Sequence, residues 1–321
     1  MKVLITPRSF AKHDKRALEL LRSNNIEIVA NPQNGILNEA QMRKCIAGCE
    51  GVIIGVDPLN ARVMSVAPSL RAVAKYGVGV DNIDLAYCKQ HGIEISRTVG
   101  ANSEAVADYA FALILSLARK VIPIDEKCRT GDWSKLTTSD VSRKTLGLIG
   151  LGAIGRQMVK RAKGFSMNIL AYDVVWDDTY AKEEGVVQAD IDTICGECDF
   201  ISLHLPLLPD TRLLIDGRRI ALMRPNACLI NTARGGLIDD GALLAALREN
   251  RIAGAGLDAF AQEPPEDKEW FSLKNVIIGS HCAASTSGAA DNMSWMAACN
   301  LLRGLGFSDS EFSNQGDGDN V

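Results

Sequence analysis

An α/β architecture of two doubly wound parallel sheets (Rossmann/flavodoxin-like) flanking a cleft is what this 321-residue sequence predicts. Three observations carry the prediction. Short apolar strands alternate with helix-length amphipathic segments in both halves of the chain, a glycine-rich turn joins a strand to a helix near its middle, and 47% of the residues are hydrophobic. Alternation argues for parallel pairing because each parallel neighbour needs a crossover, usually a helix.

In chain order, the first half reads as strand KVLIT (2–6), helix 12–22, strand IEIVA (26–30), helix 39–47, strand GVIIG (51–55) and strand LRAVAKYG (70–77). Residues 101–121, ANSEAVADYAFALILSLARKV, predict one long helix, too apolar around its circumference for a solvated surface and so expected between domains or subunits. A second series then begins: strand 145–150, helix 153–164, strand NILAYD (168–173), a helix near Ala181, strand DFISLHL (199–205) and helix 217–223. It continues with strand ACLINTA (227–233), helix 239–249, strand IAGAGLDAF (252–260) and strand NVIIGS (275–280), and a last helix spans 285–305. The tail from 308 is polar and glycine-rich, the composition of a disordered segment.

The 35 Lys and Arg against 39 Asp and Glu leave a net charge of −4, with no basic block to track a nucleic acid. The N-terminus lacks a signal-peptide pattern, and no uncharged apolar run reaches the ~18 residues of a membrane span, so a cytoplasmic protein is expected. The nine cysteines lie mostly in apolar runs and predict reduced core residues. Cys195 and Cys198 have CxxC spacing, yet no second pair or nearby histidine completes a metal site. No metal is expected.

Gly150-Leu151-Gly152-Ala153-Ile154-Gly155 follows an apolar strand and opens a helix, the context in which GxGxxG marks a dinucleotide site. The first glycine permits the tight turn, the second lets the backbone approach a pyrophosphate, and the third packs helix on strand, with helix amides facing the negative charge. Asp173 ends the next strand, 18 residues after Gly155, where a carboxylate accepts from the adenosine ribose hydroxyls and repels a 2′-phosphate. Val174, Val175 and Trp176 follow it, with no arginine to reverse that choice, so the cofactor read here is NAD.

Reducing a 2-keto acid requires a cation for the carboxylate and an acid for the carbonyl oxygen. Arg234, in Asn-Thr-Ala-Arg-Gly-Gly (231–236), stands on the turn beyond a strand, where its guanidinium can fork onto a carboxylate. Glu263 precedes Pro264-Pro265 in the loop after the next strand, and His281 ends the last one, followed by the small residues Ala283, Ala284 and Ser285. A carboxylate on an imidazole fixes its tautomer and favours its protonated form. Alone, His281 reads equally well as a core histidine; Arg234 and Glu263 at neighbouring strand ends tip the reading to acid–base chemistry. His204 also ends a strand, but the following Pro206 suggests a cofactor-lining turn, while His13 and His91 read as solvated.

With these motifs in order, the chain resembles the D-isomer-specific 2-hydroxyacid dehydrogenases, the group containing D-3-phosphoglycerate dehydrogenase. The resemblance rests on KYGVGVDNIDL (75–85), ANSEAVADYA (101–110), GLGAIG with Asp173, HLPL (204–207), NTARGG (231–236), GLDAF (256–260), EPP (263–265) and SHCAAST (280–286). It implies Arg234, Glu263 and His281 as the catalytic group, with Arg234, His281 and the amides of Val78 and Gly79 on the substrate. It implies Ser103, His204, Pro206, Thr211, Thr232, Ala233 and Asp258 at the cofactor together with Gly150, Gly152, Ala153, Ile154, Gly155 and Asp173, Asp258 meeting the nicotinamide amide. It further implies a discontinuous substrate domain, 1–99 with 284–321, around an NAD-binding domain at 100–283, and a homodimer built through the 101–121 region.

The substrate expected is a small 2-hydroxy or 2-keto acid, with 3-phosphoglycerate and hydroxypyruvate as named candidates. Phosphoglycerate-specific members carry Arg after the third strand, whereas this chain has Gly55-Val56-Asp57-Pro58-Leu59; Asp57 would disfavour a phosphate, and Arg62 lies farther on. The alternative is an NAD(H)-sensing binding protein of the same fold, like a transcriptional corepressor. A formate dehydrogenase would place Gln where this chain has Glu263.

Overall fold

The computed structural model describes residues 1–308 apart from position 34. The described chain forms two units, one of Met1–Asn102 with the residues from Ser285 onward, the other of Ser103–Ala284. The expectation of a disordered tail falls on residues that, beyond Ser308, lie outside the described ones.

The first unit holds five strands, β1 (Lys2–Ile5), β2 (Glu27–Ala30), β3 (Gly51–Ile54), β4 (Ala72–Lys75) and β5 (Glu94–Arg97). They pair in parallel in the order β2-β1-β3-β4-β5, the flavodoxin-like winding. Helices α1 (Arg16–Ser23), α2 (Glu39–Ile46), α3 (Ala61–Met64) and α4 (Leu85–Gln90) connect them. The central strands β3 and β4 are buried at every position because helices cover both faces. Leu20 and Leu21 of α1 pack on one face with Leu301 and Leu302 of the C-terminal helix; Met42, Ile46, Val63, Met64 and Cys88 pack on the other. Asn38 starts α2 with a reciprocal capping box to Gln41. The first helix begins at Arg16, later than expected, since residues 8–13 form turns.

In the second unit α5 (Ser103–Arg119) and α6 (Val121–Arg129) precede β6 (Thr145–Ile149), α7 (Ala153–Gly164), β7 (Asn168–Tyr172), α8 (Asp178–Glu184) and β8 (Val186–Gln188). Then follow α9 (Ile191–Glu197), β9 (Phe200–Leu203), α10 (Gly217–Leu222), β10 (Cys228–Asn231), α11 (Asp240–Arg248), β11 (Gly254–Leu257) and β12 (Val276–Ile278). The seven strands are parallel, in the order β12-β11-β10-β9-β6-β7-β8. Strand order reverses between β6 and β9, which puts a topological switch point beside the glycine turn. The chain then returns to the first unit through α12 (Ser287–Gly304).

The predicted 101–121 helix is two helices, broken at Lys120, whose φ of +49° is left-handed. Its apolarity needs neither a second domain nor a second subunit as an explanation. Ala107, Ala110, Phe111, Leu113, Ile114 and Ala118 are core residues of this unit, packed with Met158, Val159 and Ala162 of α7. Cys195 and Cys198 are fully buried, with thiols pushed up to about 12 by desolvation. A Cβ on Gly147 would lie 2.8 Å from Cys198 Sγ, so the thiol fills the space that this glycine leaves. The pair is packing, and among the described residues no cluster suited to a metal occurs. No helix among the described residues is long and apolar enough to cross a membrane.

Candidate active site

The glycine turn assigns a different task to each glycine. Gly150 has φ +104°, and a Cβ there would lie 2.4 Å from the carbonyl oxygen of His204. A Cβ on Gly155 would lie 2.2 Å from the Gly150 carbonyl oxygen, so this position carries the close packing of α7 on the turn. At Gly152 a Cβ would meet nothing within 4 Å, and no side chain caps α7. The N-terminus of α7, with Ala153 and Ile154 in its first turn, is thus left uncapped by any side chain, as a pyrophosphate site would require.

Asp173 follows β7 and folds back on the turn. Its Oδ2 accepts from the Leu151 amide at 2.6 Å and its Oδ1 from the Val175 amide at 3.0 Å. The carboxylate therefore sets the spacing between the glycine turn and the next strand end while each oxygen keeps a further lone pair. Val174 and Val175 beside it are 83% and 80% exposed. Arg156, a turn along α7, is held by Asp177 at 2.8 Å and lies over the Tyr180 ring.

At the adjoining strand ends His204 and Thr232 succeed a registered pair, Leu203 with Asn231, so they follow one another across β9 and β10. His204 Nε2 meets Ser202 Oγ at 2.9 Å, while its Nδ1 and the Thr232 hydroxyl are shielded from solvent without a hydrogen-bond partner. Burial drives the His204 pKa down to about 3, so its imidazole is neutral. Two unsatisfied polar atoms at the carboxyl edge of a sheet, beside a glycine cradle, fit a polar cofactor. Thr211 turns inward instead: its hydroxyl donates to the Pro206 carbonyl at 2.7 Å and accepts from the Leu208 amide at 2.7 Å, closing the 206–211 turn. Ser103 begins α5 and is buried.

Arg234 is presented by a loop that Asn231 organises. The Asn231 side chain donates to the Arg234 carbonyl at 2.8 Å and accepts from the Ala233 amide at 3.0 Å, and Arg234 Nη1 donates to the Ala233 carbonyl at 2.7 Å. Sequence reasoning passed over Asn231, which is fully buried; its place in the NTARGG segment was the available signal. The next residue, Gly235, lies against the backbone of Phe260 and Ala261.

Glu263 and His281 form a hydrogen-bonded couple. His281 Nδ1 is 2.9 and 3.0 Å from the two Glu263 carboxylate oxygens, and Glu263 Oε1 also accepts from the Phe260 amide at 3.1 Å. A carboxylate only accepts, so Nδ1 carries the proton of this bond and Nε2 is left as the nitrogen that exchanges one with a ligand. Both side chains keep about two-fifths of their surface, 44% for His281 and 39% for Glu263. Asp258 is 1% exposed, and its two oxygens already accept from the amides of Cys282 at 3.0 Å and Ala283 at 2.8 Å. Tyr109 was also missed; burial beside Cys282 and Asp258 pushes its phenol well above the usual range.

Val78 and Gly79 belong to the first unit, in the loop after β4, where Gly77 has φ +124° and its amide donates to Thr98 Oγ1 at 2.8 Å. Asp57 in the same unit does not offer its charge to a ligand, contrary to expectation. It is 3% exposed, and its carboxylate accepts from Thr6 Oγ1 at 2.5 Å and the Leu37 amide at 2.7 Å. It is an internal clasp between β1 and the loop before α2, with both carboxylate oxygens bonded within the protein.

Residues 111–283 match the family described as D-isomer specific 2-hydroxyacid dehydrogenase, NAD binding domain. A glyoxylate reductase of Thermococcus litoralis is 40% identical over 260 residues, 78% of either chain. Among solved structures, the TT0316 protein of Thermus thermophilus superposes with a TM-score of 0.87 at 34% identity, covering 95% of this chain and 97% of that one. A D-lactate dehydrogenase of Aquifex aeolicus, solved with NAD and lactic acid, gives 0.82 at 29% identity over 97% and 98%.

Proposed function

Because the chain belongs to the D-isomer-specific 2-hydroxyacid dehydrogenase family and is an NAD-dependent enzyme of that family, we propose that it reduces a small 2-keto acid, glyoxylate first, to the 2-hydroxy acid. The observation that carries this reading is the bond between His281 Nδ1 and Glu263, made by a loop that also lies against the Arg234 turn. NAD, as NADH, supplies the hydride that adds to the substrate's C2. Arg234 holds the substrate carboxylate by a forked pair of N–H donors. His281 gives the Nε2 proton to the keto oxygen as negative charge develops there, and Glu263 stabilises the imidazolium before the transfer. In the oxidative direction the same nitrogen takes the proton back.

Glyoxylate is favoured by the names of the relatives; hydroxypyruvate and 3-phosphohydroxypyruvate are the larger candidates. The deciding experiment is NADH oxidation across glyoxylate, hydroxypyruvate, pyruvate and 3-phosphohydroxypyruvate. The highest kcat/KM on glyoxylate supports the reading, and no turnover with any of them overturns it.

The protein is further proposed to work as a homodimer in a reducing cytoplasm. All nine cysteines are free thiols. Helix α6 has no buried residue, and Val121, Ile122 and, beyond the helix, Trp133 are exposed, the last at 81%. An apolar set of this kind fits cover by a second copy better than water. Light scattering of the wild type and of Trp133→Ser tests it: a wild-type monomer would overturn the proposal.

A further inference from the structure

His281 holds a backbone conformation that its own side chain resists. Its φ is +57°, the left-handed region in which a Cβ crowds the following carbonyl and which residues other than glycine enter only when their surroundings impose it. From Gly279 to Ala284 no other residue has a positive φ, so the left-handed step falls at His281 alone. Something must fix the residues on its far side.

Asp258 does so. The two amides that follow His281, those of Cys282 and Ala283, donate one to each oxygen of the Asp258 carboxylate, at 3.0 and 2.8 Å, and the Cys282 thiol lies 3.5 Å from Oδ1. Asp258 is itself anchored at the sheet edge, where its amide donates to the Asn231 carbonyl at 2.9 Å. Room for the carboxylate comes from Gly279, where a Cβ would lie 2.1 Å from Asp258 Oδ1 and 2.7 Å from the Tyr109 hydroxyl oxygen. Glu263, five residues after Asp258, meanwhile holds the imidazole ring.

We propose that Asp258 is a positioning residue for His281: one loop, from Asp258 to Glu263, fixes the backbone of the histidine through Asp258 and its ring through Glu263. The carboxylate suits the task because two N–H donors converge on it. An asparagine of the same shape would turn an NH2 toward one of them and leave that donor unsatisfied. The inference rests on the proposed acid–base role of His281 for its functional meaning. It differs from a direct contact between Asp258 and the nicotinamide amide, which would affect cofactor affinity and leave the free protein unchanged.

The test begins on the unliganded wild type, so it is independent of whether any 2-keto acid is turned over. Hydrogen exchange followed by NMR should show the Cys282 and Ala283 amides protected at least ~100-fold although they lie in a loop; exchange at the unprotected rate would overturn the proposal. In Asp258→Asn, with an unchanged circular dichroism spectrum, the His281 Hδ1 resonance should broaden or move and NADH affinity should change less than ~3-fold. A raised NADH Kd with the His281 resonance unmoved would instead assign Asp258 to the cofactor. The losses in kcat from Asp258→Asn and Glu263→Gln should combine less than additively, since both act through one imidazole; strict additivity would count against a shared target.

Discussion

Gly235 and Phe260 approach so closely that a Cβ on the glycine would lie 1.9 Å from the Phe260 carbonyl carbon and 2.0 Å from the Ala261 nitrogen. The turn that carries Arg234 is thereby seated on the loop that carries Glu263, and the distance between cation and acid–base pair is set by a missing side chain. Gly235→Ala must separate the two backbones, an overpacking cost of about 1–3 kcal/mol. A lowered urea midpoint together with reduced kcat is expected; a variant with wild-type stability and kcat would show that the two loops move freely.

His281→Ala and Arg234→Ala should each lower kcat/KM by roughly 100- to 10,000-fold, the range in which general acids and charge-assisted carboxylate contacts contribute. NADH binding, measured by fluorescence titration, should stay within about 2-fold, because neither residue belongs to the glycine cradle. Loss of NADH binding in step with turnover would make the residues structural.

Glu263→Gln keeps the shape of the side chain and removes its charge. Both carboxylate oxygens reach His281 Nδ1, at 2.9 and 3.0 Å, and so fix the tautomer and orientation of the ring. With an amide in that place kcat should fall by roughly 100-fold while NADH affinity stays within about 2-fold. A wild-type kcat would remove Glu263 from the acid–base pair.

With Asp173 proposed at the ribose site, the nearby Arg156 is engaged by Asp177 and Tyr180 rather than held out for a phosphate. Wild-type enzyme should prefer NADH over NADPH, and Asp173→Ser should narrow the ratio by at least about 10-fold, mainly by weakening NADH. The variant also frees the Leu151 amide, so a general loss of affinity for both cofactors is part of the expected outcome. Equal use of the two by the wild type would discard the assignment.

The neutral state of His204 gives stability a pH dependence. Its folded pKa of about 3 lies below the ordinary 6.5, so protons bind preferentially to the unfolded chain. Stability is then fully present above pH 6.5 and declines as pH falls toward about 3, by at most ~1.4 kcal/mol per pH unit. The urea midpoint of His204→Gln should fall less between pH 7 and pH 5 than that of the wild type. An equal decline would mean that the imidazole titrates normally.

Much of this protein is written locally. Apolar runs such as GVII and CLIN announced buried central strands because a parallel sheet covered on both faces leaves no solvated side to alternate toward. The glycine turn, Asp173 and the order of Arg234, Glu263 and His281 at successive strand ends were legible for a related reason. In a doubly wound sheet every carboxyl end lies on the same edge, so position along the chain converts directly into position at that edge. Strand β5 was not legible: its sequence Glu-Ile-Ser-Arg is charged at both ends, as an edge strand is, and carries little apolar pattern. Only the tertiary structure decided how side chains divide between ligand and protein. Asp57 and Asp258 are both acidic residues beyond strand ends, yet each has its two oxygens taken by donors that lie 20 or more residues away in sequence, Leu37 and Thr6 for one, Cys282 and Ala283 for the other. The left-handed turn at His281 depends on the second of these clasps. Sequence periodicity reports which face a residue occupies, but a hydrogen bond across the fold is fixed by where the other partner's backbone is brought, and that is settled only when the sheets and loops have packed.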